Sequence, residues 1–266
     1  MMTEMSGVDL GAPELSYLLA TLNAPAIVGV DAKTLFPKKQ SAREAMFQKG
    51  REELETHGWM RPIPDRPDEY ELDAELLELV SIIAAPYFVI ATQRISGERE
   101  RQVVMHYLAD ENIVELSASE EETYRLGLVP DRDALFERIA AMLQLQGKAP
   151  SRHLEVDGEV FEYVQSLAPK GRLAKARARL ESAGFEGKIA DSIINAVYDP
   201  VQAQIVLIRT HSGEVEAGRR LRVFGEGKQA WFVKRSSPDA TDFEMITSDA
   251  ASLKDLLTVS LDELTD

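Results

Sequence analysis

The chain has 266 residues, 44% of them hydrophobic, and a formal net charge of −15. This length and apolar content are sufficient for a substantial buried core. The absence of cysteine excludes disulfides and thiolate metal sites and is typical of a reducing compartment. Because a strongly acidic chain repels phosphate backbones and anionic membranes, a protein is a better candidate partner than nucleic acid or a membrane surface.

The N-terminal residues have neither the basic region nor the apolar core of an export signal, so we expect a cytoplasmic protein. Residues 1–12 are predicted to be disordered. The longest apolar run, 82–91, is ten residues long and is interrupted by Pro86. It is much shorter than the roughly 20 residues that cross a bilayer, so we predict no membrane span.

The first half of the chain opens with an apolar stripe at Leu15, Leu18, Leu19 and Leu22, which predicts an amphipathic helix. A longer helix follows and ends at REELETHGW, where Gly58 is expected to be left-handed. A third helix must end before Pro86, because proline cannot continue it. Strands are predicted in PYFVIATQRI, RQVVMHYLA, NIVELSA and ETYRLGL, and Asp131 is predicted to cap a closing helix.

The second half repeats this order. Phe161, Val164 and Leu167 begin a helix, and RARLESAGF ends another at Gly184. A third helix precedes Pro200. Strands are then predicted in PVQAQIVLIRT, RRLRVF, QAWFVKR and DFEMIT, followed by a closing helix capped by Asp249.

Four matches between the halves keep the same order along the chain, which indicates an internal duplication. Gly58 corresponds to Gly184 at an offset of 126, and Pro86 to Pro200 at 114. The tripeptide Ser-Gly-Glu at 96–98 recurs at 212–214, and the closing helices match at an offset of 118. We therefore predict an α+β fold of two quasi-equivalent halves, each a short antiparallel sheet with flanking helices, related by a pseudo-two-fold axis. The predicted boundaries are 13–145 for the first half, 146–158 for a linker and 159–266 for the second half.

Catalytic signatures are missing from the sequence. His57, His106, His153 and His211 have no metal-ligand spacing, so no metal site and no cofactor is predicted. Gly225, Gly227 and Ala230 match the form of a dinucleotide fingerprint, but a strand follows them where the fingerprint requires a helix. A hairpin turn explains them better. We therefore expect a protein that is not an enzyme.

A basic run at 170–179 contains Lys170, Arg172, Lys175, Arg177 and Arg179 and no acid. A basic helix followed by strands is compatible with a winged-helix regulator that binds nucleic acid. The competing interpretation is a solvated helix face, which the overall acidity of the chain favours.

The segments LSYLLATLNAPAIVGV, REELETHGW, LVSIIAAPYFVIATQR and VPDRDALFERIAAML, with RLESAGF, AVYDP and DFEMITSDAASLKDLL in the second half, resemble the EspG family. These proteins are cytosolic chaperones of type VII (ESX) secretion. The resemblance implies a fold of two quasi-equivalent α+β halves. It also implies a non-catalytic chaperone or adaptor whose partner is an α-helical, PE-PPE-like secretion substrate, kept soluble before export. The segment Val223–Ala230 departs from the Asp-Thr and Gly-Arg-Tyr pattern of many members.

If the protein is such a chaperone, an open sheet face of the first half is expected to bind the partner. Charged or titratable residues in the predicted strands would mark that face, because they are costly to bury unpaired. These residues are Arg94, His106, Glu115 and Arg125, with Tyr107 as a possible aromatic anchor. The alternative is that the four are ordinary solvent-facing strand residues and that Tyr107 belongs to the core.

Overall fold

The computed structural model describes residues 7–96, 100–119, 123–148, 152–199, 202–227, 230–237, 240–247 and 249–265, without the side chains of Pro67, Asp68 and Glu100. The chain divides into two compact units. Unit 1 consists of Met1–Ala91, Val103–Leu135 and Ile208–Gly218, and unit 2 of Thr92–Gln102, Phe136–Leu207 and Arg219–Asp266.

The helices fall where apolar side chains recur every three or four residues. They are α1 (Ala12–Thr21), α2 (Ala32–Leu35), α3 (Gln40–Thr56), α4 (Ala74–Ala84), α5 (Arg132–Met142), α6 (Gly158–Leu167), α7 (Leu173–Ser182), α8 (Lys188–Tyr198) and α9 (Ala250–Thr265). A short 3-10 helix, Ala168–Lys170, lies between α6 and α7.

Most strands fall in β-branched and aromatic segments, whereas the hairpin of β2 and β3 does not. They are β1 (Val8–Gly11), β2 (Met60–Ile63), β3 (Arg66–Leu72), β4 (Phe88–Ser96), β5 (Glu100–Ala109), β6 (Asn112–Ala118), β7 (Thr123–Val129), β8 (His153–Val156), β9 (Gln202–His211), β10 (Glu214–Phe224), β11 (Trp231–Arg235) and β12 (Phe243–Thr247). Hydrogen bonds order a large antiparallel sheet as β1-β7-β6-β5-β4-β9-β10-β11-β12-β8, and β2 pairs with β3 separately. Strands β4, β5, β9 and β10 each contribute residues to both units.

The core of unit 1 forms between α1 and one face of its strands. Leu15, Leu18 and Leu19 are fully buried against side chains such as Val89 and Tyr107. Burying a leucine side chain contributes about 1.5–3 kcal/mol, so the predicted stripe is a major source of stability. Helix α3 lies close to α1 at Gly50, where an added Cβ would collide with the Pro13 carbonyl oxygen.

The core of unit 2 forms between helices α6, α7 and α8 and its own strands. Phe161, Val164 and Leu167 of α6 are buried, as the sequence predicts, and they lie in one cluster with Phe224 and Trp231. The Trp231 indole N–H donates to the Ser192 hydroxyl of α8 at 3.2 Å, which satisfies the polar atom of a buried ring.

Both predicted helix-ending glycines are left-handed, with φ of 76° at Gly58 and 92° at Gly184. In each case the glycine and the aromatic residue after it donate back to the last helical turn. Trp59 N donates to the Leu54 carbonyl at 2.9 Å, and Phe185 N to the Leu180 carbonyl at 3.0 Å. These bonds define a Schellman motif at the end of α3 and another at the end of α7.

The predicted caps and turns are also confirmed. The Asp131 carboxylate accepts from Ala134 N at 2.8 Å, and the Asp249 carboxylate accepts from Ser252 N at 2.7 Å. Consecutive strands β10 and β11 pair antiparallel, with Phe224 opposite Trp231. They therefore form a hairpin, as predicted for the glycine-rich segment between them. Pro200, Gly97 and Glu98, which the repeat also uses, lie outside the described residues.

The structure corrects three boundaries. Val8–Gly11 form strand β1, paired with β7, so the prediction of disorder over 1–12 is wrong from residue 8 onward. The predicted linker 146–158 contains β8 and the first residue of α6. Helix α7 starts at Leu173, because Gly171 is left-handed and ends the preceding 3-10 turn, so Lys170 and Arg172 precede the helix.

The α+β class is confirmed. The sequence analysis predicts a short antiparallel sheet in each half, whereas over the described residues the structure has one ten-stranded antiparallel sheet. The order of a Schellman-ended helix, a further helix, strands and a closing helix occurs twice. A duplication bounded at 13–145 and 159–266 stays a prediction.

Candidate protein-binding surface

Three of the five residues predicted to contact a partner lie on one face of the unit 1 strands. His106 of β5 is opposite Glu115 of β6, and Arg125 of β7 is opposite Asp9 of β1. His106 Nε2 lies 3.1 Å from a Glu115 carboxylate oxygen, and Arg125 Nη1 lies 3.6 Å from Asp9. Exposure falls along this row, from 60% for the Arg125 side chain to 1% for His106. Only its Arg125 end is open to a partner.

Tyr107 points to the opposite face of β5 and belongs to the core of unit 1. It is fully buried, and its hydroxyl donates to the Val28 carbonyl oxygen. Burial raises the pKa of this hydroxyl. The proposal of Tyr107 as an exposed aromatic anchor is therefore wrong, and the alternative that placed it in the core is correct.

Arg94 is also buried, in the part of β4 that belongs to unit 2. Its Nη2 lies 3.3 Å from a Glu226 carboxylate oxygen. The sequence analysis expects one sheet face of the first half to be open. This does not hold on β4, because the adjacent residues Val89 and Ile90 of this strand point to opposite faces of the sheet and both are fully buried. Arg94 and His106 are buried although they are charged or titratable, because each lies beside a carboxylate. Such residues in a strand were therefore poor markers of exposure.

A groove does open on the unit 2 strands. It has a volume of about 160 Å³ and is lined by Gln93, Ile95, Gln202, Ala203, Gln204, Arg222, Val223 and Phe224. Ile95 is 39% exposed, which is high for a large apolar side chain in a strand. The carboxamides of Gln93 and Gln204 are 2.6 Å apart, in hydrogen-bonding contact. The groove therefore offers one apolar contact beside several amide groups.

Arg222 sits at one side of this groove on a platform of aromatic rings. Its guanidinium carbon lies 4.9 Å from the ring centre of Phe243, 5.3 Å from that of Phe161 and 5.6 Å from that of Phe224. One nitrogen donates to Gln165 Oε1 at 3.1 Å. Burial lowers the pKa of Arg222. The charge of Glu162 opposes this effect of burial, but within the described residues no carboxylate forms an ion pair with Arg222, so its remaining N–H groups are available to an acceptor from a partner.

Sequence reasoning missed this groove, although one signal was available. In β9, Gln202 and Gln204 alternate with Ala203 and Ile205, which indicates a strand with a polar face. The stacking of Arg222 on three rings had no such signal, because Phe161 and Phe243 are distant in the sequence. Only the tertiary structure brings them together.

Among the described residues, no three acidic or histidine side chains form a group that could hold a metal ion. None of the helices in this part of the chain is both long and apolar enough to cross a membrane.

With the fold and the groove established, the chain can be compared with known proteins. No protein-family model matches it, and no curated protein matches it in sequence. Among solved structures it is similar to the Mycobacterium tuberculosis type VII secretion system chaperone EspG5, which was solved in complex with the PE25-PPE41 dimer. The TM-score is 0.66 over 94% of this chain and 93% of EspG5, and the sequences are 9% identical. The chain therefore has the fold of that chaperone.

Proposed function

We propose that this protein is a non-catalytic cytoplasmic chaperone or adaptor that binds an α-helical, PE-PPE-like substrate of type VII secretion and keeps it soluble before export. The observation that carries the proposal is the shared fold with EspG5 over nearly the full length of both chains. The order of family-like segments in the sequence supports the same role.

The unit 2 groove, defined by the residues that line it, is the proposed docking site. The tip of a helical hairpin exposes the last carbonyl groups of one helix, which have no partner within the helix. Arg222 and the amides of Gln202 and Gln204 provide hydrogen-bond donors for such carbonyls. Ile95 provides an apolar contact, and a half-buried arginine beside it is typical of the residues that dominate binding energy at interfaces.

Co-expression tests this proposal. The chain would be produced with each PE-PPE pair of its own genome, and the soluble fraction of that pair would be measured with and without it. We expect one pair to become soluble and to co-elute with the chain in size-exclusion chromatography. If no pair gains solubility or co-elutes, the chaperone proposal is wrong.

Two groove variants then locate the site. Ile95→Ser and Arg222→Gln should each weaken capture by about tenfold, which corresponds to about 1.4 kcal/mol. Ile95→Ser is the cleaner test, because this partly exposed side chain is expected to contribute little to folding. The matched control is Arg220→Gln on the same strand, which removes the same charge outside the groove lining. Equal loss in the control and in the groove variants would contradict the proposed location.

The nucleic-acid alternative has weaker support. Arg177, at the centre of the basic run, forms ion pairs with Glu181 and Asp191, and these carboxylates raise its pKa. A phosphate would have to displace them.

A further inference from the structure

Among the described residues, the other four cations of the basic run differ from Arg177 in having no ionic partner. Lys170, Arg172 and Lys175 are exposed and Arg179 is partly exposed, and none of the four forms an ion pair within the described residues. Cations on a solvated helix face are usually interspersed with acids, as they are on α3, where Lys49 pairs with Glu53 and Arg51 with Glu55. On α7, within the described residues, only Arg177 has such a partner, Glu181.

Two of these cations, Lys175 and Arg179, line a groove between α6 and α7. Glu159 and Tyr163 of α6 and Ala178 of α7 line it as well. The groove is shallow and open to solvent, so a helix could lie along it but would not be enclosed by it.

Apolar surface accompanies the charge. Tyr163 is 46% exposed and Leu173, in the first turn of α7, is 51% exposed. Exposed tyrosine and leucine beside unpaired cations form a surface that is both apolar and positive, although the chain as a whole is strongly acidic. A ligand that matches it must combine carboxylates with apolar side chains.

We propose that the α6–α7 groove binds an acidic amphipathic helix of a protein partner. Carboxylates of that helix pair with Lys175 and Arg179 in the groove and with Arg172 and Lys170 beyond it, and its apolar side chains contact Tyr163 and Ala178. A helix lying in an apolar groove is a common mode of peptide recognition. This site shares no residue with the unit 2 groove, so it does not depend on the proposed chaperone function.

A polynucleotide fits the same observations less well. Phosphates would pair with the cations, and Tyr163 could stack on a base. However, Glu159 lies in the groove itself and the chain carries a net charge of −15, so a long polyanion with no apolar groups would be repelled.

Fluorescence anisotropy with a synthetic probe tests the proposal. The probe is a labelled helical peptide of about 18 residues, with one stripe of leucine and one of glutamate. We expect it to bind the full-length protein at 50 mM salt at least about tenfold more tightly than a peptide with glutamine in place of glutamate. The double variant Lys175→Glu with Arg179→Glu should lose that preference, and Lys188→Glu, an exposed cation outside the groove, should change binding less than about twofold.

Two further measurements complete the test. A peptide with lysine in place of glutamate should bind the double variant and not the native protein, which would show that charge complementarity holds the helix. Tyr163→Ser should weaken binding of the glutamate peptide several-fold, and the circular dichroism spectrum of this variant should match that of the native protein. The proposal is overturned if the glutamine peptide binds equally well, if the double variant binds as the native protein does, or if a labelled single-stranded oligonucleotide binds more tightly than the peptide at the same salt.

Discussion

Units 1 and 2 use the same local devices to end their helices, but they differ strongly in charge. The motifs at Gly58 and Gly184 have the same two hydrogen bonds, and each is followed by an aromatic residue at the edge of its core. Unit 1 carries 25 acidic and 11 basic residues, a net charge of −14, whereas unit 2 carries 20 and 19, a net charge of −1.

The two helices that end in these motifs show the difference most clearly. On α3, Lys49 and Arg51 are paired within the helix, whereas on α7 only Arg177 is paired among the described residues. Packing limits which residues can end a helix or fill a core, but it places little restriction on exposed charges. The two units therefore differ in surface charge although their helix-ending motifs are alike, and both grooves proposed as binding sites lie in the less acidic unit.

The largest expected effect tests whether the two units depend equally on close backbone contacts. Gly50→Ala would push a Cβ against the Pro13 carbonyl oxygen, and Gly158→Ala would do the same against Thr241. Each should lower the free energy of unfolding by about 3 kcal/mol, because main-chain atoms cannot move aside as a flexible side chain can. Denaturant titration measures this.

The control for that comparison is Gly127→Ala, whose added Cβ would lie 3.8 Å from the Gly7 Cα. It should change the free energy of unfolding by less than about 0.5 kcal/mol. If Gly50→Ala is costly and Gly158→Ala is as harmless as the control, the two units are not equally constrained.

The next effect concerns a buried hydroxyl in unit 1. Tyr107→Phe leaves the Val28 carbonyl without its donor and should lower the free energy of unfolding by about 1.5 kcal/mol. The folded-state pKa of Tyr107 is raised above its unfolded value, so its contribution is fully present below about pH 10 and is lost as the pH rises further. Between pH 8 and pH 10.5, the Tm of the variant should therefore fall less than the Tm of the native protein. An equal loss in both proteins would mean that other groups cause it.

A smaller effect is expected at the two Schellman glycines. Gly58→Ala and Gly184→Ala meet no atom within 4 Å, so the strain of a left-handed alanine is the main effect, about 1 kcal/mol in each unit. Asparagine tolerates this conformation better, so Gly58→Asn and Gly184→Asn should each lower the free energy of unfolding by less than the alanine variant does. A clear inequality between Gly58→Ala and Gly184→Ala in denaturant titration would show that the two motifs differ in importance.

Local sequence signals predicted most of the elements, because they act within a few residues. The stripe at Leu15, Leu18 and Leu19, the glycines 58 and 184 and the caps Asp131 and Asp249 each determine their structure through neighbours in the chain. Strand β1 was missed because a four-residue edge strand has no periodicity to detect, and its pairing with β7 depends on residues more than 110 positions away.

The candidate site was harder to predict, for the same reason. Charge in a strand was taken as a sign of exposure, yet His106 and Arg94 are buried and lie beside Glu115 and Glu226. Sequence cannot show such pairing when the partners are on different elements. The repeat located the helices of both units, but it gave no indication that the open groove lies in unit 2.

The smallest effect expected in folding is the most informative about binding. Arg125 is exposed and its contact with Asp9 is a surface ion pair, which contributes between zero and about 1 kcal/mol. Arg125→Glu should therefore change the free energy of unfolding by less than about 0.5 kcal/mol. Glu115→Arg should lower the free energy of unfolding by more, because it places a cation against buried His106. In the co-expression assay, Arg125→Glu should leave substrate capture unchanged, since the proposed docking groove belongs to unit 2. Loss of capture with unchanged stability would instead make the Asp9–Arg125 end of the unit 1 sheet the contact surface, and the difference in charge between the units would then favour a basic partner.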